Sequence, residues 1–236
     1  MLSFLFPPIC PLCSKELLDK GEHICKSCQK EEIFIKGATC YSCGKPIKNY
    51  EKEYCSDCRQ HPKNFERGMG LCIYQKPVTD SLAAIKYKNQ RKFAQYYLEE
   101  IRKRKYKELQ QLKVDVVIPV PIYRKKRRKR GFNQAEIFAK GIAQMLDVPM
   151  YTKIVERIHD TKPQKQLNPG ERKKNLKKAF CGNYKEYQKA GMPKRVLLVD
   201  DIYTTGSTAQ TVTAALKQMG VREVYVFCIA VGKGFS

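Results

Sequence analysis

Long hydrophobic runs are missing from this sequence of 236 residues. No apolar stretch approaches the roughly 20 residues that a membrane-spanning helix needs. The segment 1–9 is too short for a secretory signal peptide and lacks its basic start. We therefore expect a protein without a membrane span that stays in the cytoplasm, where thiols remain reduced.

Acidic residues are also scarce, because 23 Asp and Glu stand against 46 Lys and Arg, for a formal net charge of +23. This excess predicts an anionic partner, and nucleic acid, anionic lipid and phosphate-rich small molecules all fit it. A solvated basic surface is the alternative that charge alone leaves open. The apolar content of 42% is sufficient for a folded core, and the length suits one ordinary domain plus a small accessory one.

Cysteine, by contrast, is concentrated near the amino end, where eight of the eleven cysteines form four CxxC pairs that begin every 15 residues. A CxxC turn directs two thiolates to one side of a metal ion, and two such turns complete a tetrahedral site. Disulfides are unexpected in the cytosol, and no βαβ pattern surrounds these pairs to suggest a redox motif. We predict two structural zinc sites, with the ligands Cys10, Cys13, Cys25, Cys28, Cys40, Cys43, Cys55 and Cys58.

The pairing of these turns is left open by their equal spacing. Sequential pairing is favoured because it closes the shorter loops, whereas a cross-brace would alternate the pairs. His23 and His61 could substitute as ligands, but eight thiolates already fill two sites. Since four thiolates leave no open coordination position, the zinc is expected to stabilise the fold and not to catalyse a reaction.

Beyond Arg59 the cysteine rhythm stops, and apolar runs alternate with helical patterns. Mostly β-branched runs predict buried strands at 114–120, 196–199 and 224–230. Helical spacing predicts one or two helices over 78–105 and further helices over 133–146 and 207–219. Strand, helix and strand with short connections imply an α/β fold with a parallel sheet. We place a zinc module at residues 1–65 and the α/β domain at 66–236.

The junction after the strand at 196–199 holds the most informative chemistry. Two adjacent carboxylates, Asp200 and Asp201, precede a run of small residues. Hydroxyls and glycine at a helix N-terminus form an anion cradle, because backbone N–H groups point outward and the helix dipole favours negative charge. Carboxylates beside such a cradle suit a sugar phosphate, whose hydroxyls donate to them. The cradle residues are Thr204, Thr205, Gly206, Ser207 and Thr208.

The run VLLVDDIYTTGST at 196–208 resembles the phosphoribosyl-diphosphate (PRPP) signature of type I phosphoribosyltransferases. The resemblance implies their parallel sheet with flanking helices, ribose hydroxyls and indirectly Mg²⁺ on Asp200 and Asp201, and the 5′-phosphate on residues 204–208. Purine-salvage enzymes often place a carboxylate base three residues after the second aspartate, where this chain has Thr204. That departure weakens purine salvage, and no catalytic residue is assigned.

A second block narrows the resemblance. Pro-Val-Pro at 119–121, Arg-Gly-Phe-Asn-Gln at 130–134 and Thr-Lys-Pro-Gln at 161–164, behind a cysteine-rich zinc ribbon, resemble the ComF competence family of ComFC type. The similarity spans nearly the whole chain, and Arg-Gly-Phe-Asn-Gln is its most specific element. It implies cytoplasmic handling of single-stranded DNA during natural transformation, with a competence helicase as a further candidate partner. Lys86 also matches a family motif and is a candidate phosphate contact, with an ordinary surface lysine as the alternative.

Seven consecutive cations lie between a predicted buried strand and a predicted helix, and this position argues against a disordered charge run. By position, type I enzymes use the corresponding segment, 120–130, as a pyrophosphate loop. Further basic stretches occupy 102–107 and 172–178. The candidate DNA-binding residues are Arg124, Lys125, Lys126, Arg127, Arg128, Lys129 and Arg130.

Tyrosines interspersed among these cations could stack on the bases of a single strand, although burial is the commoner fate of tyrosine. They are Tyr87, Tyr96, Tyr97, Tyr106 and Tyr123. Two functions remain: a competence protein that binds single-stranded DNA and has a PRPP site, or an active phosphoribosyltransferase with an unidentified base or amine acceptor.

Overall fold

The computed structural model describes residues 8–17, 23–48, 51–159 and 179–234. The segment 161–164 and the basic stretch 172–178 lie outside the described residues. In chain order the elements are α1 (Lys26–Gln29), α2 (Ser56–Gln60), β1 (Arg67–Ile73), α3 (Val78–Tyr87), α4 (Phe93–Gln111), β2 (Val116–Pro119), α5 (Arg124–Arg130), α6 (Gln134–Leu146), β3 (Val155–Arg157), β4 (Phe180–Gly182), α7 (Tyr184–Lys189), β5 (Arg195–Tyr203), α8 (Ser207–Gln218) and β6 (Glu223–Val231).

The central sheet has four parallel strands in the order β1-β6-β5-β2, and β3 and β4 form a separate antiparallel pair. Leu198 in the middle of β5 is in register with Ile118 of β2 and Val226 of β6. Such inner strands are buried on both faces, which explains their continuous apolar runs. The α/β class with a parallel sheet is confirmed.

Helices cover both faces of the sheet. On one face Leu197 and Val199 of β5 join a hydrophobic cluster with residues of α3, α4 and α6. On the other face Val196 and Leu198 join a cluster with residues of α8, including Leu216. The alternation along β5 therefore sends successive side chains to opposite layers. The predicted helices are present, with 78–105 divided into α3 and α4.

Several elements differ from the sequence prediction, among them β5, α5 and β1. Strand β5 continues through Tyr203, because it keeps pairing with β6, so the two carboxylates lie within the strand and not after it. The supposed pyrophosphate loop is largely helix α5. Strand β1 was not predicted, and it contains the strand-weakening residues Gly68 and Gly70. A Cβ at Gly68 would lie 2.9 Å from the Cys43 carbonyl carbon, so close packing requires glycine there.

The cysteine-rich segment packs on the edge of this sheet. Its residues 33–35 run along β1, where the Ile35 N–H donates to Leu71 O at 3.0 Å and the Ile73 N–H donates to Ile33 O at 2.8 Å. Edge strands need such cover, because their unpaired backbone groups would otherwise be open to other chains. Within the described ranges, every helix is too short or too polar to cross a membrane.

Candidate functional site

The loop after β5 turns into α8 through Gly206, which is the N-cap in a left-handed conformation (φ 78°). A Cβ at this position would lie 2.1 Å from the Tyr203 hydroxyl, so both the dihedral angle and the space require glycine. Thr204 and Thr205 are exposed, and the Thr205 and Ser207 hydroxyl oxygens lie 2.9 Å apart. The result is an accessible set of hydroxyls in front of the N-terminus of a twelve-residue helix.

Asp200 lines a pocket together with residues 204–208 and the buried Cys228. Burial raises the pKa of the Asp200 carboxyl well above its usual range, and the neighbouring charge of Asp201 raises it further. One Asp200 oxygen accepts the Asp201 backbone N–H at 2.8 Å. This side of the strand therefore combines a carboxylate that is costly to ionise with a row of hydrogen-bond donors.

Asp201 is only 6% exposed and contacts different elements. Its Oδ2 accepts a hydrogen bond from Gln134 of α6 at 3.0 Å, and Lys86 Nζ of α3 lies 3.4 Å away. The structure thus brings Lys86, predicted only from a motif, next to the predicted carboxylates. Asp200 and Asp201 are consecutive residues of one strand, so their side chains point to opposite faces. Asp200 lines the pocket with residues 204–208, whereas Asp201 contacts α3 and α6.

The Arg-Gly-Phe-Asn-Gln segment builds this environment. Gly131 ends α5 in a left-handed conformation (φ 82°), which lets the chain turn into α6. Asn133 caps α6 by accepting from Ala135 N, and its amide donates to Val120 O at 2.9 Å, which ties the helix to the end of β2. Gln134 then reaches Asp201. Sequence reasoning quoted Asn133 and Gln134 only as a motif and gave them no role, although the specificity of that motif was a usable signal.

Helix α5 places the seven predicted cations next to this site. Residues 124–129 are exposed, and Arg130 is half-buried. Two of the arginines have partners on α6, since Arg127 pairs with Glu136 and Arg130 donates to Gln134. Arg124, Lys125, Arg128 and Lys129 face solvent along the same short helix. Because Gln134 also bonds to Asp201, only one side chain separates Arg130 from the acidic pair.

The predicted stacking tyrosines differ in exposure. Tyr96 and Tyr97 are buried in the core, at 6% and 0% exposure, which excludes them as stacking surfaces. Tyr106 and Tyr123 are half-buried, whereas Tyr87 is 74% exposed. The basic stretch at 102–107 is partly neutralised, since Glu100 pairs with Lys103 and Arg104.

The eight clustered cysteines form two groups. The first two CxxC pairs along the chain make one group, and the last two pairs make the other. All four sulfur atoms of a group lie within 4.8 Å of one another, as in a four-thiolate metal site. In the second group a hydrogen bond from Cys43 lowers the pKa of Cys40 to about 4, and the same contact raises the pKa of Cys43. One zinc ion per group fits this geometry, because a cation would let all four thiols ionise. The groups are Cys10, Cys13, Cys25 and Cys28, and Cys40, Cys43, Cys55 and Cys58.

The two histidines considered as alternative ligands belong to neither group. His23 lies 3.2 Å from Glu99, and His61 lies 3.5 Å from Asp57. The sequential arrangement favoured from loop length is therefore the arrangement that the structure has.

Comparison with known proteins finds two family models along the chain. Residues 1–59 match the family model described as a double zinc ribbon domain, and residues 132–234 match the phosphoribosyl transferase domain. Competence protein F of Haemophilus influenzae is 34% identical over 163 residues, which cover 66% of this chain and 69% of that protein. The chain belongs to the competence protein F family. The predicted zinc-ribbon module and the type I phosphoribosyltransferase-like domain are confirmed at this level.

More distant members of the family share shorter segments. The DNA utilization protein YhgH of Salmonella typhi is 31% identical over 115 residues, which cover 49% of this chain and 48% of that protein. Competence protein ComFC of Streptococcus pneumoniae is 30% identical over 139 residues, which cover 58% of this chain and 54% of that protein. The chain thus spans about half the length of these two relatives.

Proposed function

We propose that this protein binds single-stranded DNA in the cytoplasm during natural transformation and holds PRPP with Mg²⁺ at the carboxyl end of β5. One observation supports the proposal above all. A phosphate cradle and an acidic pair lie one side chain away from an exposed basic helix, through Arg130, Gln134 and Asp201. An anionic sugar ligand and an anionic polymer would therefore occupy adjoining surfaces.

For PRPP, each group has a chemical task. The hydroxyls and backbone N–H groups of residues 204–208 would hold the 5′-phosphate at the start of α8. Asp200 and Asp201 would accept the ribose hydroxyls, and Mg²⁺ would neutralise the diphosphate. Lys86 Nζ is 3.4 Å from Asp201, so it can pair with that carboxylate or turn to a ligand phosphate.

Thermal unfolding tests this site. PRPP with Mg²⁺ should raise the melting temperature, because a ligand that binds only the folded state stabilises it. Replacing both carboxylates, Asp200→Asn with Asp201→Asn, should remove the shift, since amides cannot replace two anionic acceptors. A shift that persists in the double variant would place the ligand elsewhere.

The pH dependence supplies a control for folding. Since the folded-state pKa of Asp200 lies above its unfolded value, ionised Asp200 lowers the stability as pH rises through that folded-state pKa. Asp200→Asn should therefore raise the melting temperature of the ligand-free protein near neutral pH while weakening the response to PRPP. For the wild type, the PRPP-induced shift should grow as pH rises through the folded-state pKa of Asp200, because the ligand needs the ionised carboxylate. A variant that melts lower without ligand would contradict this account of Asp200.

For DNA, the support comes from exposed charge. Helix α5 presents Arg124, Arg128 and Lys129 to solvent. Binding to such cations releases counterions from single-stranded DNA, at about 0.7 per contact neutralised. The names of two relatives, a competence protein and a DNA utilization protein, agree with a role in DNA uptake or use.

The salt dependence of affinity is the measurement. Wild-type protein should bind single strands of different sequence with similar affinity. The logarithm of the association constant should fall steeply with the logarithm of the salt concentration. Replacing Arg124, Arg128 and Lys129 by Ala should reduce the slope by about two units, because three contacts are lost. Alanine keeps the helix, since it has the highest helix propensity.

A matched control removes three exposed cations that lie outside α5. Lys194 and Arg222 directly precede β5 and β6, at the amino ends of these parallel strands, and Lys185 lies on α7. Their replacement by Ala should leave the slope nearly unchanged. If both triple variants lowered the slope equally, the binding would follow net charge alone and not helix α5.

The eight thiolates are proposed to hold two structural zinc ions. Metal analysis of protein purified without oxygen should give two zinc ions per chain, since each group supplies a full tetrahedral set. One zinc or none would contradict the assignment.

An active phosphoribosyltransferase is the second candidate, and the pocket at Asp200 favours it. In such a transfer the bond from C1 of ribose to the diphosphate breaks, a nitrogen of the acceptor bonds to C1, and pyrophosphate leaves with Mg²⁺. Thr204 occupies the position where purine enzymes often have a base, so the proton of the acceptor nitrogen would have to pass to water or to the departing pyrophosphate. Pyrophosphate release from PRPP, measured across bases and amines with and without single-stranded DNA, tests this candidate.

A further inference from the structure

Tyr87 is the most exposed of the large apolar side chains described, at 74%, and it ends helix α3. Two cations approach its ring, one from its own helix α3 and one from α5. Lys86 Nζ lies 5.9 Å from the ring centre, and the Arg130 guanidinium carbon lies 5.4 Å from it. An aromatic face in water with two adjacent cations is an unusual arrangement for a residue that only packs.

Those two cations also join the ring to the acidic pair. Arg130 donates to Gln134, Gln134 donates to Asp201, and Lys86 lies beside the same Asp201 carboxylate. Tyr87, Arg130, Gln134, Asp201 and Lys86 therefore form a closed circle of contacts. The exposed ring lies where the basic helix meets the proposed sugar-phosphate site.

We propose that Tyr87 is a stacking surface that holds one unpaired base of a DNA strand beside the PRPP site. This inference rests on the proposed function and deepens it, since it names the group at which the strand meets the site. Every nucleobase offers a flat π-face, so stacking on tyrosine binds single strands without sequence preference. The phosphates on either side of that base would meet Arg130 and the row of cations that precedes it on α5.

Phe132, an aromatic residue that follows α5, is less suited to this task. Phe132 is 8% exposed, and the Arg91 guanidinium already lies 4.2 Å from its ring centre. Tyr96 and Tyr97 are in the core. Among the described aromatic residues near α5, Tyr87 is thus the most exposed ring.

The experiment compares two fluorescent oligonucleotides of equal charge, one of thymidines and one in which every base is replaced by an abasic site. Wild-type protein should bind the thymidine strand more tightly. Tyr87→Ala should weaken thymidine binding by at least about fivefold and leave abasic binding unchanged. Its salt slope should equal that of the wild type, because no charge is removed.

Two further variants keep the test specific. Tyr87→Phe keeps the ring and should bind thymidine nearly as well as wild type. Tyr184→Ala removes another exposed tyrosine, on α7, and should have little effect on either strand. An equal loss on both strands, or an unchanged thymidine affinity, would overturn the stacking role of Tyr87 and leave the proposed function intact. Failure of the wild type to bind either strand at low salt would overturn both.

Discussion

The two cysteine groups have the same local structure at a spacing of 30 residues. Cys10 N–H donates to Lys15 O at 2.7 Å, and Cys40 N–H donates to Lys45 O at 2.8 Å. In the first turn the Ser14 N–H donates to Cys10 O at 2.8 Å. In the second turn the Gly44 N–H donates to Cys40 O at the same distance. The third cysteine of each group is the N-cap of a short helix, α1 or α2. The local sequence therefore forms the same four-cysteine group twice.

Their surroundings differ. The first group packs with the cluster that contains α4, and two of its cysteines are partly exposed. The second group is fully buried and belongs to the cluster that contains Tyr203, the last residue of β5 before the phosphate cradle. Lys45 of its first turn is 6% exposed, and its Nζ lies 5.8 Å from the Tyr203 ring centre, whereas the equivalent Lys15 is exposed.

Two copies of one motif thus pack in different surroundings. The first group packs against the cluster that contains α4. The second group packs against β1 and near Tyr203, the residue that precedes the hydroxyl-rich loop. We expect perturbations of the second group, and not of the first, to reach the PRPP site.

Removing ligands should give the largest contrast. Cys40→Ser with Cys43→Ser and Cys10→Ser with Cys13→Ser should each lose one zinc ion, because half of one group is gone. The PRPP-induced rise in melting temperature should be lost in the first variant and kept in the second. Loss of the response in both variants, with both still folded by circular dichroism, would remove the contrast between the groups.

The residue after the second cysteine of each group gives the next largest contrast. A Cβ at Gly44 would lie 2.6 Å from Gly68 O at a φ of 72°, whereas Ser14 has a φ of 61° on the surface. Gly44→Ala should therefore lower the free energy of unfolding by about 2 kcal/mol or more, from left-handed strain and backbone collision. Ser14→Ala should change it by less than about 0.5 kcal/mol. Equal losses in chemical denaturation would contradict this reading of the interface.

Metal release should separate the groups kinetically. All four sulfurs of the second group are on residues at most 5% exposed, while Cys13 and Cys25 are partly exposed. A zinc-sensitive dye with excess chelator should therefore record one fast and one slow release of equal amplitude. Cys10→Ser with Cys13→Ser should remove the fast phase. A single phase from the wild type would show that the groups open together.

The two lysines should give the smallest contrast. Lys45→Met removes a charge next to the Tyr203 ring and should cost about 1 kcal/mol of unfolding free energy, whereas Lys15→Met should be neutral within error. Denaturant titration of both variants measures the difference. A neutral Lys45→Met would mean that only the stem of this side chain matters for the packing.

Much of the fold follows from local pattern. The buried strands β2, β5 and β6 and the helices α6 and α8 were predictable, because continuous apolar runs and 3.6-residue periodicity arise within each element. Strand β1 escaped prediction, since Gly68 and Gly70 read as turn residues. The reason for the first of these glycines lies in the contact with Cys43, which no local pattern records.

The candidate site was predictable in composition and not in arrangement. Asp200 and Asp201 were recognisable as a pair, but β5 continues past them. Asp200 therefore lines the pocket, whereas Asp201 contacts Gln134. Gln134 was visible only as part of a motif. Its link to Asp201 spans 67 positions, and a contact of that range depends on how α6 packs against the sheet.

By itself, then, the sequence determined the two groups of four cysteines, the hydroxyl-rich loop after β5 and the basic run, because each is a short-range pattern of chemistry. Tertiary structure alone decided which tyrosine stays exposed, which lysine is buried and which cysteine group packs near Tyr203. Those outcomes depend on contacts such as Lys86 with Asp201, 115 positions apart, that exist only once the sheet has brought α3, α6 and β5 together.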